Sequence, residues 1–335
     1  MKAILYKHSE GAALRDVPVP KIGPGELLLA VDACGLCGTD IMKLATRAKQ
    51  AILGHELAGR IAKLGEGVRG FKEGDRIVVA HHVPCLDCHY CRRQSYSMCR
   101  QFKSTNIDPG GFAEFVRVPE LHVRHTTLRF PDALAPFSAS QTEPLACCLR
   151  NAKRLGLRAG DTALVVGLGS IGMLMAQLLS HLDVEVVGLD LDCSRAAALS
   201  PWGRGFTDEE ALLPALREQT SNRGADAVVF TAGTPALFTH SLAWVRDGGV
   251  LNVFSSFHPD PDASLDLNAI YHRELTVVSS YSPSLEDLRE ALALISSGAV
   301  RVHELSPKAY PLEGFDDALQ GLREKKILKA IFKPA

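Results

Sequence analysis

Neither sign of charge is in excess: 37 Lys and Arg against 38 Asp and Glu leave a formal net charge of −1 over 335 residues. That removes the uniform field expected of a protein that coats nucleic acid or an anionic membrane, so the expected partner is a small molecule. No apolar leader follows Met1, and the nine cysteines are odd in number and clustered rather than spread as a disulfide framework. Both features predict a reducing, cytoplasmic setting. No internal repeat or low-complexity tract interrupts the chain. The stretch 163–180 is apolar and long enough to suggest a membrane span. However, Gly167, Gly169 and Gly172 punctuate it, and its β-branched start gives way to a Met/Leu/Ala run, the pattern of a strand, a turn and a buried helix. No membrane span is expected, and the length suits about two domains of roughly 150 residues each.

The first third reads as β-rich, with short aliphatic runs at 1–6, 27–33, 59–64, 75–80 and 113–119 separated by Gly, Pro and charged turns, which suggests a compact barrel-like domain. From about Asp161 the rhythm becomes strand, helix, strand: 162–166, 171–181, 184–189, then strands at 226–230, 249–254 and 275–280. Such alternation implies a parallel sheet covered by helices on both faces. Helical patterns at 285–295 and 315–323 and a strand at 328–333 close the chain.

Within the α/β part, Gly167-Leu168-Gly169-Ser170-Ile171-Gly172 follows an apolar strand and opens a helix, and Asp190 ends the next strand. Alone the hexapeptide is a weak signal; with both strands and an acidic residue about 20 positions on it becomes a strong one. Glycines there let the chain turn tightly and approach a pyrophosphate, and helix-start amides bind the phosphates. Asp190 would accept from the adenosine ribose hydroxyls and repel a 2′-phosphate, favouring NAD over NADP, while Arg195 nearby would partly offset that repulsion. Thr231-Ala232-Gly233 and Ser255 follow later strands and should border the same cofactor, since ligands gather at the carboxyl ends of parallel strands.

Cys85, Cys88, Cys91 and Cys99 follow Cys-x2-Cys-x2-Cys-x7-Cys. Four thiolates close a tetrahedral zinc site with no open position, so the expected role is structural; the last gap does not suit the common ferredoxin cluster patterns. His81, His82 and His89 close by are expected to face solvent. A second cysteine–histidine pair, Cys37 and His55, stands 18 positions apart and is followed by Glu56. By itself such a pair is as compatible with plain packing as with a metal.

Residues 35–40 (Gly-Leu-Cys-Gly-Thr-Asp), 54–56 (Gly-His-Glu), the four-cysteine run, 110–114 (Gly-Gly-Phe-Ala-Glu), 143–145 (Glu-Pro-Leu) and the glycine turn occur in one order along the chain. In that order they resemble the zinc-containing medium-chain dehydrogenases, and most of all the sorbitol (L-iditol) and polyol dehydrogenases, in which a glutamate stands at the Glu143 position. The resemblance spans nearly the whole chain. It implies a Rossmann doubly wound parallel sheet inserted between two parts of a GroES-like β-barrel catalytic domain: 1–143 catalytic with a zinc lobe at 81–100, 144–281 NAD-binding, and 282–335 returning to the catalytic domain, with the active site in the cleft.

By matching position, the resemblance further implies two zinc ions per chain, one structural and one catalytic. The catalytic ion would be surrounded by Cys37, His55 and Glu56, with Glu143 bound directly or through water and exchanging with the more movable Glu56. Thr39 would hydrogen-bond the substrate oxygen and relay its proton, and Asp40 would orient His55. The implied activity is NAD-dependent oxidation of a secondary alcohol of a polyol to a ketone, in a cytoplasmic homo-oligomer, tetramer or dimer. An amino-alcohol, amino-cyclitol or threonine-type dehydrogenase would share every motif. A zinc-free quinone reductase is disfavoured by the cysteines and His55, and a non-enzymatic NAD-binding protein by the intact ligand set. Where such relatives carry a histidine two positions beyond the aspartate, this chain has Met42, expected to serve in packing. Cys147 and Cys148 are expected as small core residues, and Tyr281 either faces the substrate or is a structural aromatic.

Overall fold

In the computed structural model the chain forms two compact units, 1–146 with 284–335, and 147–283. Residues 1–7, 11–46, 50–258, 260, 264–305 and 308–334 are described. The first unit holds β1 (Lys2–Lys7), β2 (Gly11–Asp16), β3 (Leu27–Gly35), β4 (Ala51–Ile52), β5 (Glu56–Leu64), β6 (Arg76–Val79), β7 (Phe115–Val118) and β8 (Thr127–Arg129). The second holds β9 (Thr162–Val166), β10 (Glu185–Leu189), β11 (Gly203–Phe206), β12 (Ala225–Phe230), β13 (Val245–Val253) and β14 (Thr276–Ser279). β15 (Ala309–Pro311) and β16 (Ile331–Lys333) belong to the first unit again.

Two sheets build the first unit. A small one runs β2-β1-β4; the larger runs β15-β16-β3-β5-β6-β8, with β7 also paired to β3. Inward residues alternate along β3, where Leu27, Leu29 and Val31 are fully buried, as a sheet with one face on a core requires. The alternation stops at Ala33, Cys34 and Gly35, all buried, where β3 is paired on both edges, with β5 and β16. Phe112, Phe315 and Phe332 pack edge-on and stacked at centroid distances of 5.2–5.7 Å, so the returning C-terminal segment is welded into the core of the N-terminal one.

The second unit is a single parallel sheet in the order β11-β10-β9-β12-β13-β14. In chain order within the unit this is 3-2-1-4-5-6, the doubly wound dinucleotide-binding arrangement. Its central strand β9 is buried at every residue, as expected of a strand covered on both faces. β11, with the sequence Gly-Arg-Gly-Phe, is an edge strand that no apolar run announced. Among the described residues, no helix is long and apolar enough to cross a membrane.

Candidate metal centre and dinucleotide site

Gly35 on β3 pairs with Glu56 on β5 and with Ile331 on β16, and the Leu36 amide donates to the Ala330 carbonyl at 2.9 Å. Three chain segments are thereby locked side by side. Gly54 sits at φ +93, and a Cβ there would come within 2.8 Å of Cys34 Sγ and 2.9 Å of the Phe112 amide. Only glycine admits that crossing, and it aims the next two side chains, His55 and Glu56, at the loop carrying Cys37. One donor atom from each of Cys37, His55 and Glu56 lies within 4.8 Å of the other two. A thiolate, an imidazole and a carboxylate at that spacing are a donor set fit for a zinc ion.

The surroundings serve these donors. Asp40, 1% exposed, places Oδ1 3.3 Å from His55 Nδ1 and accepts from the Cys37 amide at 3.3 Å. With Nδ1 engaged, His55 has Nε2 left for a metal. Burial penalises the charge on each ring and carboxyl, yet their mutual attraction and hydrogen bond hold His55 well above and Asp40 below their ordinary values. Thr39 is exposed, its hydroxyl 3.3 Å from Cys37 Sγ, open to a substrate oxygen. Glu143 stands in the first turn of the helix Thr142–Leu155, close enough for its charge to bear on Lys329; the donors that converge within 4.8 Å are those of Cys37, His55 and Glu56.

In the lobe, Sγ atoms lie 3.9 Å (Cys85 to Cys91), 3.6 Å (Cys88 to Cys91) and 3.6 Å (Cys99 to Cys85) apart. Disulfides would need about 2.05 Å, whereas four sulfurs at a Zn–S distance of about 2.3 Å stand about 3.8 Å apart in a tetrahedron. Burial and its neighbouring sulfurs push the Cys91 thiol up to about 12. Burial also opposes ionisation of Cys99, but amides of Cys85 and Phe102 draw it down to about 6. Four such thiols ionise together only around a cation. Apart from the sulfurs, the lobe's small cluster contains only Phe102 and Tyr96, too little apolar area to hold a loop by itself.

In the other unit the glycine turn has the geometry of a phosphate cradle. Gly167 is at φ +87 and a Cβ would meet Ala232 at 2.7 Å, while Gly169 faces open space. As N-cap of the helix Ser170–His181, Gly169 offers no side-chain cap, so the first-turn amides remain available to an anion. Ser170, Ile171 and Gly172 open this helix. Asp190 accepts from the Leu168 amide at 2.7 Å and from the Asp192 amide at 2.9 Å, with Arg195 3.9 Å from its Oδ2. The Thr231 hydroxyl donates to the Gly167 carbonyl at 2.6 Å, bracing the turn, with Ala232 and Gly233 following; Ser255 Oγ is buried and has no partner among the described residues. These residues fit a dinucleotide.

Two family models match, the alcohol dehydrogenase GroES-like domain over residues 23–127 and the zinc-binding dehydrogenase over residues 170–297. D-altritol 5-dehydrogenase of Agrobacterium fabrum is 32% identical over 93% of each chain. Sorbitol dehydrogenase of Halalkalibacterium halodurans is 29% identical over 100% of this chain and 99% of the relative, and L-threonine 3-dehydrogenase of Bacillus velezensis 28% identical over the same shares. A putative zinc-binding dehydrogenase from Sinorhizobium meliloti 1021, solved bound to NADP, superposes with a TM-score of 0.88 at 26% identity over 99% of both chains.

The chain belongs to the zinc-binding medium-chain dehydrogenases.

Sequence reasoning missed one member of this dehydrogenase's centre. Lys329 Nζ lies 2.5 Å from Glu56 Oε2, with side-chain exposures of only 3% and 1%. Burial works against its charge, but Glu56, Cys37 and Glu143 hold the ammonium above its ordinary value. The one signal was a lysine inside the apolar run 327–332, where a strand leading into the barrel should carry none. Two expectations need correction. His81 and His82 do not face solvent: they are half-buried, His81 against the His55 ring at a centroid distance of 4.6 Å and His82 against His81 at 3.9 Å. Met42 is 51% exposed and does not serve in packing, while the 70% exposure of Tyr281 removes the structural-aromatic alternative and leaves the substrate-facing one untouched. Cys148 is fully buried as expected, and Cys147 is half-buried.

The histidines set a pH response. Burial lowers His82 to about 4, despite its hydrogen bond with the Thr105 carbonyl at 2.6 Å, and also depresses His81 and His122. The unfolded chain takes up protons at these rings near the ordinary value of 6.5, the folded chain only lower. Stability should therefore fall as pH drops from 6.5 toward 4. His82→Gln is expected to flatten the acid side of a melting-temperature profile and leave it unchanged above pH 7; an equally steep acid side would contradict this reading.

Proposed function

We propose that the chain oxidises a secondary alcohol of a polyol or sugar alcohol to the ketone with NAD as hydride acceptor, using one zinc ion at Cys37, His55 and Glu56 and a second, structural one at Cys85, Cys88, Cys91 and Cys99. The observation that carries this reading is the convergence of the Cys37, His55 and Glu56 donors within 4.8 Å. Zinc in such a site supplies Lewis acidity that favours loss of the alcohol proton. The chain's own residues do the rest. Thr39, beside Cys37, is placed to take the proton from the substrate hydroxyl and pass it to water; Asp40 fixes the His55 tautomer; Gly167, Gly169 and the uncapped helix start bind the pyrophosphate; Asp190 takes the ribose hydroxyls. Because Met42 stands out in solvent, the relay beyond Thr39 runs to water and not to a side chain at that position.

The substrate class follows the altritol and sorbitol dehydrogenase names among the relatives, with an amino-alcohol or threonine-type activity as the second reading, favoured by the threonine 3-dehydrogenase likeness. NAD is preferred over NADP because Asp190 presents a carboxylate where a 2′-phosphate would lie, although Arg195 softens the choice. A homo-oligomer, tetramer or dimer, accords with the exposed Leu267, Tyr271, Val277 and Tyr281 on and beside the edge strand β14, since an open sheet edge flanked by apolar side chains favours association; the clustered, unpaired cysteines favour a reducing, cytoplasmic setting.

Cys37→Ala is expected to abolish NAD reduction while one zinc per chain, that of the lobe, persists in elemental analysis; near-wild-type turnover would refute the centre. Asp190→Ala is expected to weaken NAD by about tenfold or more, as befits lost charge-assisted hydrogen bonds, and to narrow the NAD/NADP ratio of kcat/KM. An unchanged ratio would show that another residue selects the cofactor. In a panel of sugar alcohols, inositols, simple secondary alcohols and L-threonine, highest kcat/KM on a sugar alcohol is the expected result, and highest on L-threonine would favour the second reading.

A further inference from the structure

A row of rings joins the two donor groups. The His55 and His81 rings stand 4.6 Å apart, His81 and His82 3.9 Å, and His82 and Phe102 4.9 Å, each pair inclined by 43–46°. Phe102, 4% exposed, packs among the lobe cysteines. His82 stands three residues before Cys85 and Phe102 three after Cys99, so the sulfurs that gather the lobe also close the chain on His82. The middle of the row is held from the side: His82 Nδ1 donates to the Thr105 carbonyl at 2.6 Å, and His122 Nε2 to the His81 carbonyl at 3.0 Å. At the far end Asp40 holds His55 through one atom, Nδ1, at 3.3 Å. A single hydrogen bond of that length fixes where Nδ1 lies and leaves the ring free to turn about it. The neighbouring His81 ring is what stops that turn, and so sets the aim of His55 Nε2.

We propose that His81, His82 and Phe102 are positioning residues that carry the packing of the cysteine lobe to the His55 ring, so that a closed lobe raises the affinity of the Cys37 centre for its ion; this rests on the metal reading of both donor groups given above. Packed side chains have discrete arrangements rather than a continuum, and a chain of them can bias a distant group. With the lobe sulfurs gathered, Phe102 bears on His82, His82 on His81, and the His55 ring has one orientation. With the lobe open, its two aromatic side chains hold too little apolar area to close the loop, Phe102 withdraws, and the row loses its stop. The linkage is reciprocal: whatever factor a closed lobe adds to the affinity at Cys37 and His55, an occupied centre there adds to the affinity of the lobe. A loop that served stability alone would not act through His81.

The test follows cobalt at the Cys37 centre, with zinc in the lobe, by its visible spectrum during competition with a chelator. It compares the wild-type protein with Phe102→Ala, His81→Ala and the double variant. Phe102→Ala is expected to weaken cobalt binding about three- to tenfold, the scale of one lost ring contact, and His81→Ala to weaken it at least as much. In the His81→Ala background the further effect of Phe102→Ala should vanish, because the row is already cut. Cobalt affinity in Phe102→Ala within about twofold of wild type overturns the proposal, and so does an effect equally large with and without His81. If Phe102→Ala does not fold, the reciprocal measurement decides: zinc affinity of the lobe in Cys37→Ala should fall by about three- to tenfold, and an unchanged lobe affinity overturns the coupling. A wild-type protein that takes up metal only in the lobe overturns the metal reading of Cys37, His55 and Glu56 itself, and the role of the row with it.

Discussion

A half-buried cysteine, a buried imidazole and two buried carboxylates cannot share one corner of a barrel unless positive charge balances them. That constraint organises the first unit. Asp40 and Glu56 are each 1% exposed, and an isolated carboxylate at such depth would cost far more than a folded domain's net stability. Asp40 is offset by His55, Glu56 by Lys329, and the remaining donor capacity of Cys37 and His55 points at one place. Breaking one partner of a buried pair typically costs about 3–5 kcal/mol, while structural zinc in small peptides binds with about 10–16 kcal/mol. A metal of that affinity would outweigh either ion pair.

The scaffold around this corner is built from close backbone approaches. β3 is pinned between β5 and β16, the Gly111 amide donates to the Gly54 carbonyl at 2.8 Å, and the Phe112 amide to the Leu53 carbonyl at 3.0 Å. The same economy governs the second unit. There the glycine turn is braced by Thr231 and Asp190, whose hydrogen bonds go to the turn's own backbone. Asp190 thus does two things at once: it fixes the loop that cradles phosphate and presents its charge to a ribose. Its replacement should disturb both.

Much of this was legible from residue order. The glycine turn, the parallel sheet's central strands and the four-cysteine lobe are local signals, each carried by a few adjacent residues whose spacing has one physical meaning. What was not legible depends on tertiary contacts. β11 reads Gly-Arg-Gly-Phe, with no apolar alternation, because Cβ atoms at Gly203 and Gly205 would run into the backbones of Val186 and Ala196; packing, not propensity, selects it. Lys329 stands out in an apolar run, but its partner is not legible until β5 brings Glu56 alongside. His81 and His82 read as solvent-facing beside a cysteine lobe, and only the fold turns His81 onto His55 and His82 onto His81. Glu143 enters the site by resemblance alone, because no local spacing in the sequence links it to Cys37 or His55.

The account stands on a divalent ion lying between Cys37 Sγ and the His55 ring. A crystal of the protein measured on both sides of the zinc absorption edge tests that directly. Two anomalous peaks per chain are predicted, one enclosed by the four lobe sulfurs and one bonded to Cys37 and His55 with no sulfur other than that of Cys37. A single peak confined to the lobe, with Cys37 and His55 in a metal-replete crystal bound to nothing in common, would contradict it.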